Sequence, residues 1–436
     1  MLHAAAVPIV RSRCDATGEG CVRSRRSHES RQDLSYSQSL PGVQLRVDGA
    51  VSATVARAVP ADASECARLL AEAARDHRTV RISGSGTKSY LGDVGPTDID
   101  LSTARLSGVV DHVPADLTVT VGAGTRVAEL QAALARAGQF LPLDPPHGDE
   151  ATIGGVIAAN SNGFWRARYG AVRDLLIGTH IALADGTVAR AGGRVVKNVA
   201  GYDLDKLLVG SLGTLGVMIE ATLKVLPIPS SSDGFIARFS RSADAFAAAD
   251  AVVRGAARAE ACVVERREGP TWRLAVQARG TGPTVKRAVK DARQAVAARQ
   301  GDAEELGDEL ARMRELPARA IDGALVRVAL PLAAAAAFAE TASRLETLAV
   351  LVTDTASGVG RAHFSGDDDA VIRDAEALLL AARVVGGSGR IERRAEHLRA
   401  RLSTWPTRPN GDFLMRRIKE AFDPEGILEP GRAAFA

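Results

Sequence analysis

Residues 193–219 read Gly-Arg-Val-Val-Lys-Asn-Val-Ala-Gly-Tyr-Asp-Leu-Asp-Lys-Leu-Leu-Val-Gly-Ser-Leu-Gly-Thr-Leu-Gly-Val-Met-Ile, and this stretch constrains the fold more than any other. A polar segment (Lys197, Asn198, Gly201, Tyr202, Asp203) leads into Gly210-Ser-Leu-Gly-Thr-Leu-Gly216, and the strand-like run Val217–Val225 follows. Glycines at every third position remove side chains where a backbone must approach something closely or turn through positive φ. Two readings stay open at this point. One is a plain Gly-rich turn between strands; the other is a wall on which a flat, phosphate-bearing ligand lies.

The chain has 436 residues, enough for a large core and for two domains or one large one. Its hydrophobic content of 46% and charged content of 25% are ordinary for a globular protein. A net charge of +3 and few aromatics give no footing for nucleic-acid binding. No run approaches the ~18 apolar residues of a membrane span. Of the four cysteines, Cys14 and Cys21 lie near the N-terminus, while Cys66 and Cys262 sit singly in apolar patterns. None has C-x-x-C spacing, so no disulfide framework, iron–sulfur cluster or metal site is expected, and a reducing, cytoplasmic setting fits. Residues 1–48 carry Arg11, Arg13, Arg23, Arg25, Arg26 and Arg31 among serines. Asp15, Glu19, Glu29 and Asp33 weaken a transit-peptide reading, and a disordered extension or an over-extended start is expected instead.

Hydrophobic periodicity orders the remainder. Val55–Val59 reads as a strand, and a helix follows, capped by Asp62 or Ser64 and lined by Cys66, Leu69, Leu70 and Ala73. Thr79–Ile82, Ile99–Leu101, Val109–Val110 and Leu117–Val121 are strands, and a helix through Val127, Leu130 and Leu134 closes at Gly138. Leu141–Gly170 reads as a long irregular stretch, which in a domain usually marks function. Strands return at Leu175–Leu183, Val188–Arg190 and Val217–Val225, and Pro227, Pro229 and Ser230–Ser232 mark a boundary. Beyond it, strands at Gly234–Phe239, Leu274–Ala278, Leu325–Leu330 and Thr347–Thr353 alternate with helices at Ala243–Arg254, Thr284–Arg299 and Leu332–Leu345. This alternation predicts an α+β unit with an antiparallel sheet. Asp302–Glu309 reads as a solvated acidic helix, and Arg390–Arg401 and Phe413–Ala421 as late helices.

Two further loops carry chemistry. In Arg81-Ile-Ser-Gly-Ser-Gly-Thr87 a strand runs into small residues whose exposed N–H groups can form an anion-binding concavity. It is no nicotinamide fingerprint, because Ser89 stands where the third glycine belongs, and Lys88 lacks the spacing of a nucleotide-triphosphate loop. Gly122-Ala-Gly124 fails in the same way at Val127. The second loop runs Pro145-Pro-His-Gly-Asp-Glu-Ala-Thr-Ile-Gly-Gly155 through Asn160-Ser-Asn-Gly163, with Arg168-Tyr-Gly170 and Asp174 behind it. Prolines stiffen its approach, paired glycines suit a flat ligand, and asparagines supply amides; an irregular loop with Asn turns is the plainer reading.

Taken in order, Arg81–Thr87, Ala151-Thr-Ile-Gly-Gly155, Arg168-Tyr-Gly170 and Gly213-Thr-Leu-Gly216 resemble the FAD-binding domain of the vanillyl-alcohol oxidase/p-cresol methylhydroxylase (PCMH) superfamily. The closing Phe422-Asp-Pro-Glu-Gly-Ile-Leu-Glu-Pro-Gly431 is similar to that superfamily's C-terminal signature, and Gly193–Asp203 most resembles the GlcE subunits of multi-subunit glycolate dehydrogenases. The resemblance covers residues 51–227 and the C-terminal tail and is weak between them. It implies an α+β fold: a two-subdomain PCMH-type FAD-binding domain over 49–228, an α+β cap over 229–395 for substrate or subunit contact, and a segment, 396–436, returning to the FAD domain. It further implies that Ser83, Gly84, Ser85, Gly86 and Thr87 clasp the FAD pyrophosphate. Pro145, Thr152, Gly154, Gly155, Asn160 and Gly163 would run along the cofactor, and Leu215, Gly216, Val217 and Ile219 would pack near its adenine end. No histidine stands in the first loop, so the FAD is expected to be non-covalent; His147 reads equally as a solvent-facing loop residue.

Oxidation of a 2-hydroxy acid needs a base for the hydroxyl proton and a cation for the carboxylate, while flavin takes the hydride. Catalytic relatives of the GlcD type carry a C-terminal Glu-His-Gly-rich motif and a further histidine pair. Here Glu396-His397 is followed by Leu398-Arg399, and His363 has no second histidine two residues on. Arg361, His363 and Arg390 are the candidate catalytic residues of the cap. The resemblance implies an FAD-binding subunit of a glycolate oxidase complex, with a GlcD-like flavin subunit and an iron–sulfur subunit as partners, and membrane association only through that complex. The alternatives are a stand-alone FAD-dependent D-2-hydroxy-acid dehydrogenase and a non-catalytic scaffold subunit.

Overall fold

The computed structural model describes residues 55–93, 95–193, 203–255, 259–267, 269–406 and 411–433. The N-terminal extension and the segment Lys197–Tyr202 lie outside these residues.

The first half begins with β1 (Ala56–Ala58), α1 (Ala63–Arg75), β2 (Val80–Ser83) and β3 (Ile99–Ser102), a parallel sheet of order β1-β3-β2. Asp62 caps α1 by accepting the Glu65 N–H at 2.8 Å, and the Glu65 carboxylate accepts the Ala61 N–H at 2.7 Å. Cys66, Leu70 and Ala73 then bury against Val80, Ile99 and Leu101. A second, antiparallel sheet follows from β4 (Val109–Val113) and β5 (Thr118–Gly122). Next come α2 (Val127–Ala135), β6 (Gln139–Phe140), α3 (Ile153–Ala159) and the single turns α4 (Arg166–Tyr169) and α5 (Val172–Leu175). β7 (Leu176–Ala182), β8 (Val188–Gly192) and β9 (Val217–Lys224) complete the sheet in the order β4-β5-β9-β7-β8, and β10 (Leu226–Pro227) pairs with β6. Its core joins Val121, Leu130, Ile153, Ile157, Leu176 and Leu223.

The second half is built on one antiparallel sheet. In chain order it comprises β11 (Ser231–Phe239), α6 (Ser242–Arg254), β12 (Ala261–Arg266), β13 (Trp272–Gly280), α7 (Gly282–Ala297) and β14 (Asp302–Glu305). Then come α8 (Glu309–Arg314), α9 (Leu316–Arg319), β15 (Ala324–Ala329), α10 (Ala335–Ala342), β16 (Leu348–Asp354) and β17 (Val359–Phe364). α11 (Asp368–Val384), β18 (Ser388–Arg394) and α12 (Asp412–Phe422) finish it, and the eight strands lie in the order β14-β11-β13-β12-β16-β17-β15-β18. Phe235, Phe338, Phe364 and Leu378 anchor the core on one face, where α6, α7, α10 and α11 pack. The other face turns to the first half: Ile236, Val263, Leu325 and Val352 cluster with Leu310, Met313 and Phe164. The chain then returns to the parallel sheet, where Val80 N–H donates to Ile427 O at 2.8 Å and Glu429 N–H to Val80 O at 2.9 Å. No helix among the described residues is long and apolar enough to cross a membrane.

Three sequence expectations are corrected here. Asp302–Glu305 is not a solvated helix but the edge strand β14, paired with β11; Ala303 packs on the core and Glu304 meets Arg238 at 3.0 Å. Charges on an edge strand keep that edge from pairing further. Arg390–Arg394 is not helical but the second half of β18: Ile391 is fully buried, and Arg390 and Glu392 flank it on the opposite face. Leu141–Gly170 is not irregular throughout, because α3 forms there despite two glycines. Thr152 caps it, and Gly154 is needed because a Cβ there would lie 2.9 Å from Ala123 Cβ. Tertiary contact outweighs helix propensity at that point.

Candidate functional site

β2 carries the chain into Gly84-Ser-Gly-Thr87. Its ladder with β3 ends where Thr103 N–H donates to Ser83 O at 2.8 Å. From Gly84 to Thr87 no backbone N–H donates to any described residue. Unpaired amides that are not buried in a core need an acceptor from outside, and an anionic oxygen suits consecutive N–H groups best. Gly86 sits at φ +79° with open space where a Cβ would stand, and Gly84 packs so closely on Thr152 that a Cβ would overlap its hydroxyl. The loop is braced from behind by the chain's C-terminal segment. Glu429 Oε1 accepts the Ile82 N–H at 2.7 Å, and its Oε2 is paired with Arg432 at 2.9 Å. The Arg432 guanidinium donates to Leu91 O and Lys88 O, both at 3.0 Å. Burial pushes the Glu429 carboxyl up, and Arg432 opposes that shift.

Opposite this loop stand Thr152, Gly154 and Gly155, whose position is fixed by Gly154 N–H donating to Ala123 O at 2.8 Å. Ser211, Leu212, Gly213 and Gly216 form a third wall. Gly216 is at φ +149°, where a Cβ would fall 2.7 Å from Ile181 Cδ1, so no other residue lets β9 start so close to β7. Together these walls enclose a cleft of about 330 Å³.

The structure therefore brings Ser83, Gly84, Ser85, Gly86, Thr87, Thr152, Gly154, Gly155 and Gly216 around one cleft. Other candidates lie behind its walls. Leu215, Val217 and Ile219 are buried in the two cores, while Met218 lines the cleft. Asn160 ends α3 in the left-handed region at φ +48°, and its oxygens accept from Asn162 Nδ2 at 2.9 Å. Gly163 packs against Asp144, whose carboxylate accepts the Phe164 and Trp165 N–H groups at 2.9 and 3.1 Å. Burial pushes Asp144 up to about 7. Pro145 is buried and does not line the cleft; Pro146 O accepts Lys88 Nζ at 2.9 Å.

Lys88, which lines the cleft, feels the charges of Glu392 and Arg361 in a row on the sheet of the second half. Arg327 on β15 stands in register with Arg361 on β17 and with Arg390 on β18, so three guanidinium side chains share one face on adjacent strands. Arg361 is paired with Glu392 through bonds of 2.7 and 3.3 Å. Although burial pushes the Glu392 carboxyl up, Arg361 and its neighbouring arginines hold it down to about 2. Arg390 lies over the Trp405 ring at 5.2 Å, and its Nε is buried without a partner. Arg327 makes no hydrogen bond or ion pair with any described residue, and burial lowers it to about 10. Both keep part of their surface accessible, as side chains lining an inlet do. Two guanidiniums are thus left without a direct ion-pair partner among the described residues, and the Glu392 carboxylate that Arg361 holds is the opposing charge they share, an expensive arrangement in a protein interior unless an anion enters.

Of the cap candidates, Arg361 and Arg390 meet in this row and His363 does not. His363 is on the same strand as Arg361, but its Nε2 is 2.9 Å from Asp322 O, beside Arg312 and Arg319 in a separate pocket. Sequence reasoning missed Arg327, Lys88, Tyr90, Glu392, Glu429 and Arg432. For Arg327 a signal existed: a lone arginine in the apolar strand Ala-Leu-Val-Arg-Val-Ala.

Comparison with known proteins bears on this geometry. Residues 55–192 match the model of an FAD binding domain. The chain is similar to the glycolate oxidase subunit GlcE of Escherichia coli K12, 45% identical over 163 residues, covering 37% of this chain and 46% of that protein. It is also similar to the glycolate oxidase subunit GlcD of Bacillus subtilis 168, 35% identical over 182 residues, covering 41% of this chain and 38% of that protein. Against the D-lactate dehydrogenase of Archaeoglobus fulgidus the figures are 36% over 171 residues and 38% of each chain. The matches thus span less than half the length of these relatives. Two solved structures share the fold. Alkyldihydroxyacetonephosphate synthase aligns with a TM-score of 0.67 at 18% identity over 87% of this chain and 78% of that one. p-Cresol methylhydroxylase with substrate bound aligns at 0.67 and 16% over 87% and 88%. The expected resemblance, the PCMH-type α+β fold and FAD as cofactor stand on these matches, and the unpaired amides at Gly84–Thr87 with the side-chain-free wall at Gly86 fit a dinucleotide pyrophosphate.

Proposed function

We propose that this chain, an FAD-binding protein of PCMH-type fold, oxidises a 2-hydroxy acid to the 2-oxo acid. It does so as a subunit of a glycolate-oxidase-like complex with a GlcD-like flavin subunit and an iron–sulfur subunit. The observation that carries the reading is the arginine row, with Arg327 and Arg390 free of any direct ion pair among the described residues and the row's charges felt by Lys88 at the cleft. A carboxylate seated between them would neutralise both, in the charge-assisted geometry that guanidinium groups favour.

Each part of the chain has a defined task in this reading. Gly84–Thr87 would hold the pyrophosphate by backbone amides, with Glu429 and Arg432 keeping the loop in place. Thr152, Gly154, Gly155 and Gly216 would let the cofactor lie against backbone. Arg361 is already occupied by Glu392, so it orders the row, while Arg327 and Arg390 would bind and orient the substrate carboxylate. Bound FAD supplies a two-electron acceptor for the hydride on the hydroxyl-bearing carbon.

The test uses the full chain loaded with FAD, mixed anaerobically with glycolate and with D-lactate while the flavin absorbance is followed. Bleaching is expected with at least one of them, and Arg327→Met should raise the concentration needed about 10- to 100-fold, the worth of a hydrogen bond to a charged group. Bleaching that appears only after the GlcD-like subunit is added assigns the oxidation to the partner. No bleaching in either case overturns the reading.

A further inference from the structure

We propose that His147 is the proton acceptor for the substrate hydroxyl, an assignment that rests on the reading of the site just given. The reaction needs a group with a free lone pair at the junction between the cofactor cleft and the arginine row. His147 flanks that junction without lining the cleft itself. Pro146, the residue before it, is bonded through its carbonyl to Lys88, which lines the cleft, and the His147 N–H donates to Glu315 of the opposing sheet domain at 2.7 Å. Its ring lies 6.3 Å from that of Tyr90, which in turn sits under Arg393 at 5.1 Å and feels the charges of Glu392, Arg361 and Arg390.

The decisive atom is Nε2. It is buried and has no hydrogen-bond partner. A polar atom left so is costly unless something else is meant to meet it. The backbone at His147 lies in the left-handed region, at φ +57°.

The other titratable groups of the junction are each disqualified. Glu392 is held as a carboxylate by Arg361 and is down at about 2. Both oxygens of Glu315 are occupied, by the His147 N–H and by Arg314 at 3.2 Å. Burial pushes the Tyr90 hydroxyl up, so it stays protonated. Lys88 is lowered by burial only to about 8 and uses its ammonium on Pro146 O. His147 itself is lowered, by burial and then by Lys88, with Arg393 adding to the effect and Glu315 and Glu150 opposing it. It is therefore neutral at neutral pH, and in the tautomer protonated at Nδ1 the lone pair lies on Nε2. Nearby charges are balanced enough for it to accept a proton: two cations (Lys88, Arg393) against two carboxylates (Glu315, Glu150).

In the step, the substrate O–H bond breaks and its proton goes to Nε2. The hydride on the hydroxyl-bearing carbon would leave with its electron pair, for which bound FAD would supply the acceptor, as the carbon–oxygen double bond forms. The substrate would lose two electrons and two hydrogens, of which bound FAD would take up the two electrons and one hydrogen as hydride, and Nε2 would release the remaining proton to water that enters as the product leaves.

The experiment measures anaerobic flavin reduction in the FAD-loaded full chain from pH 5 to 9, for the wild type, His147→Gln and His147→Ala. His147→Gln should keep its FAD and its half-saturating substrate concentration within about threefold, while the reduction rate falls about 10²- to 10⁴-fold and the acidic limb of the pH profile disappears. Added imidazole should restore part of the rate to His147→Ala, which a structural role for the ring would not allow. A second readout needs no turnover: in the cofactor-free protein, the His147 ring resonance should titrate below the ordinary histidine range and move when the hydroxy acid binds. A His147→Gln protein that reduces at the wild-type rate with its acidic limb intact, or a ring resonance blind to substrate, overturns the assignment while leaving the site reading in place. A wild type that no hydroxy acid reduces overturns both.

Discussion

Gly84 and Gly86 lie two residues apart in the same loop, and replacing each with alanine should have opposite signatures. A Cβ at Gly84 would overlap the Thr152 hydroxyl and stand 3.0 Å from its Cγ2 and 3.1 Å from its Cβ. Thr152 cannot turn away freely, because its Oγ1 accepts the Gly155 N–H and caps α3. Overpacking costs about 1–3 kcal/mol, and a lost cap costs about 0.5–2 kcal/mol. Gly84→Ala should therefore destabilise the cofactor-free protein by about 2–4 kcal/mol, the middle of those two ranges combined. At Gly86 a Cβ meets nothing within 4 Å. Its φ of +79° costs alanine about 1–2 kcal/mol, offset by about 0.4–1 kcal/mol from the stiffer unfolded chain. Gly86→Ala should lose under about 1.5 kcal/mol of stability by that difference, yet it points its methyl into the space the cofactor would take. Denaturant midpoints of the cofactor-free variants and FAD titration by flavin fluorescence separate the two effects. Gly84→Ala should show the larger midpoint shift, and Gly86→Ala the larger loss of FAD affinity relative to its stability loss. Equal midpoint shifts, or wild-type FAD affinity in both variants, would refute the reasoning that this loop is the cofactor cradle.

Three other outcomes are expected. Arg327→Met removes a buried charge with no described partner, so the cofactor-free protein should melt at the same temperature or higher while hydroxy-acid affinity falls; a lower melting point would show that the arginine is compensated. Glu392 is depressed from the ordinary glutamate value to about 2, so its contribution is fully present above the unfolded value of ~4.3 and is lost as pH falls toward 2. Glu392→Gln should therefore flatten the loss of stability on acidification in that window, read by circular dichroism. Burial pushes both Cys66 and Cys262 up to about 12; in a Cys14→Ser/Cys21→Ser background neither should react with a thiol reagent at pH 8 until denaturant is added, and fast labelling of the folded chain would contradict their burial.

Much of the first half was legible because its signals are local. The Asp62 cap, the face of Cys66, Leu70 and Ala73, and the glycines at 84, 86, 154, 155 and 216 record demands that one stretch of backbone makes on its own residues. The second half was harder to read. β12 and β17 were not anticipated, and β18 was taken for a helix, because Arg390, Glu392, Arg393 and Arg394 look solvated when viewed without their partners. The glycine and asparagine candidates also divided on a tertiary fact: Gly155 faces the cleft, whereas Asn160 and Gly163 hold the loop behind it.

By itself the sequence determined the small-residue loops that line the cleft and the class of fold, since small residues, caps and periodic apolar faces are consequences of local geometry. It also placed Arg361 and Arg390 among the candidates, though not their company. Only the tertiary structure decided that Arg327 joins them in register, that Glu392 silences one of the three, and that the Pro146–His147 turn meets Glu315 of the second half. The reason is physical: the charge state and availability of a buried group depend on which distant groups surround it, and strand register brings together residues far apart in sequence, as it does Arg327 and Arg390, 63 positions apart.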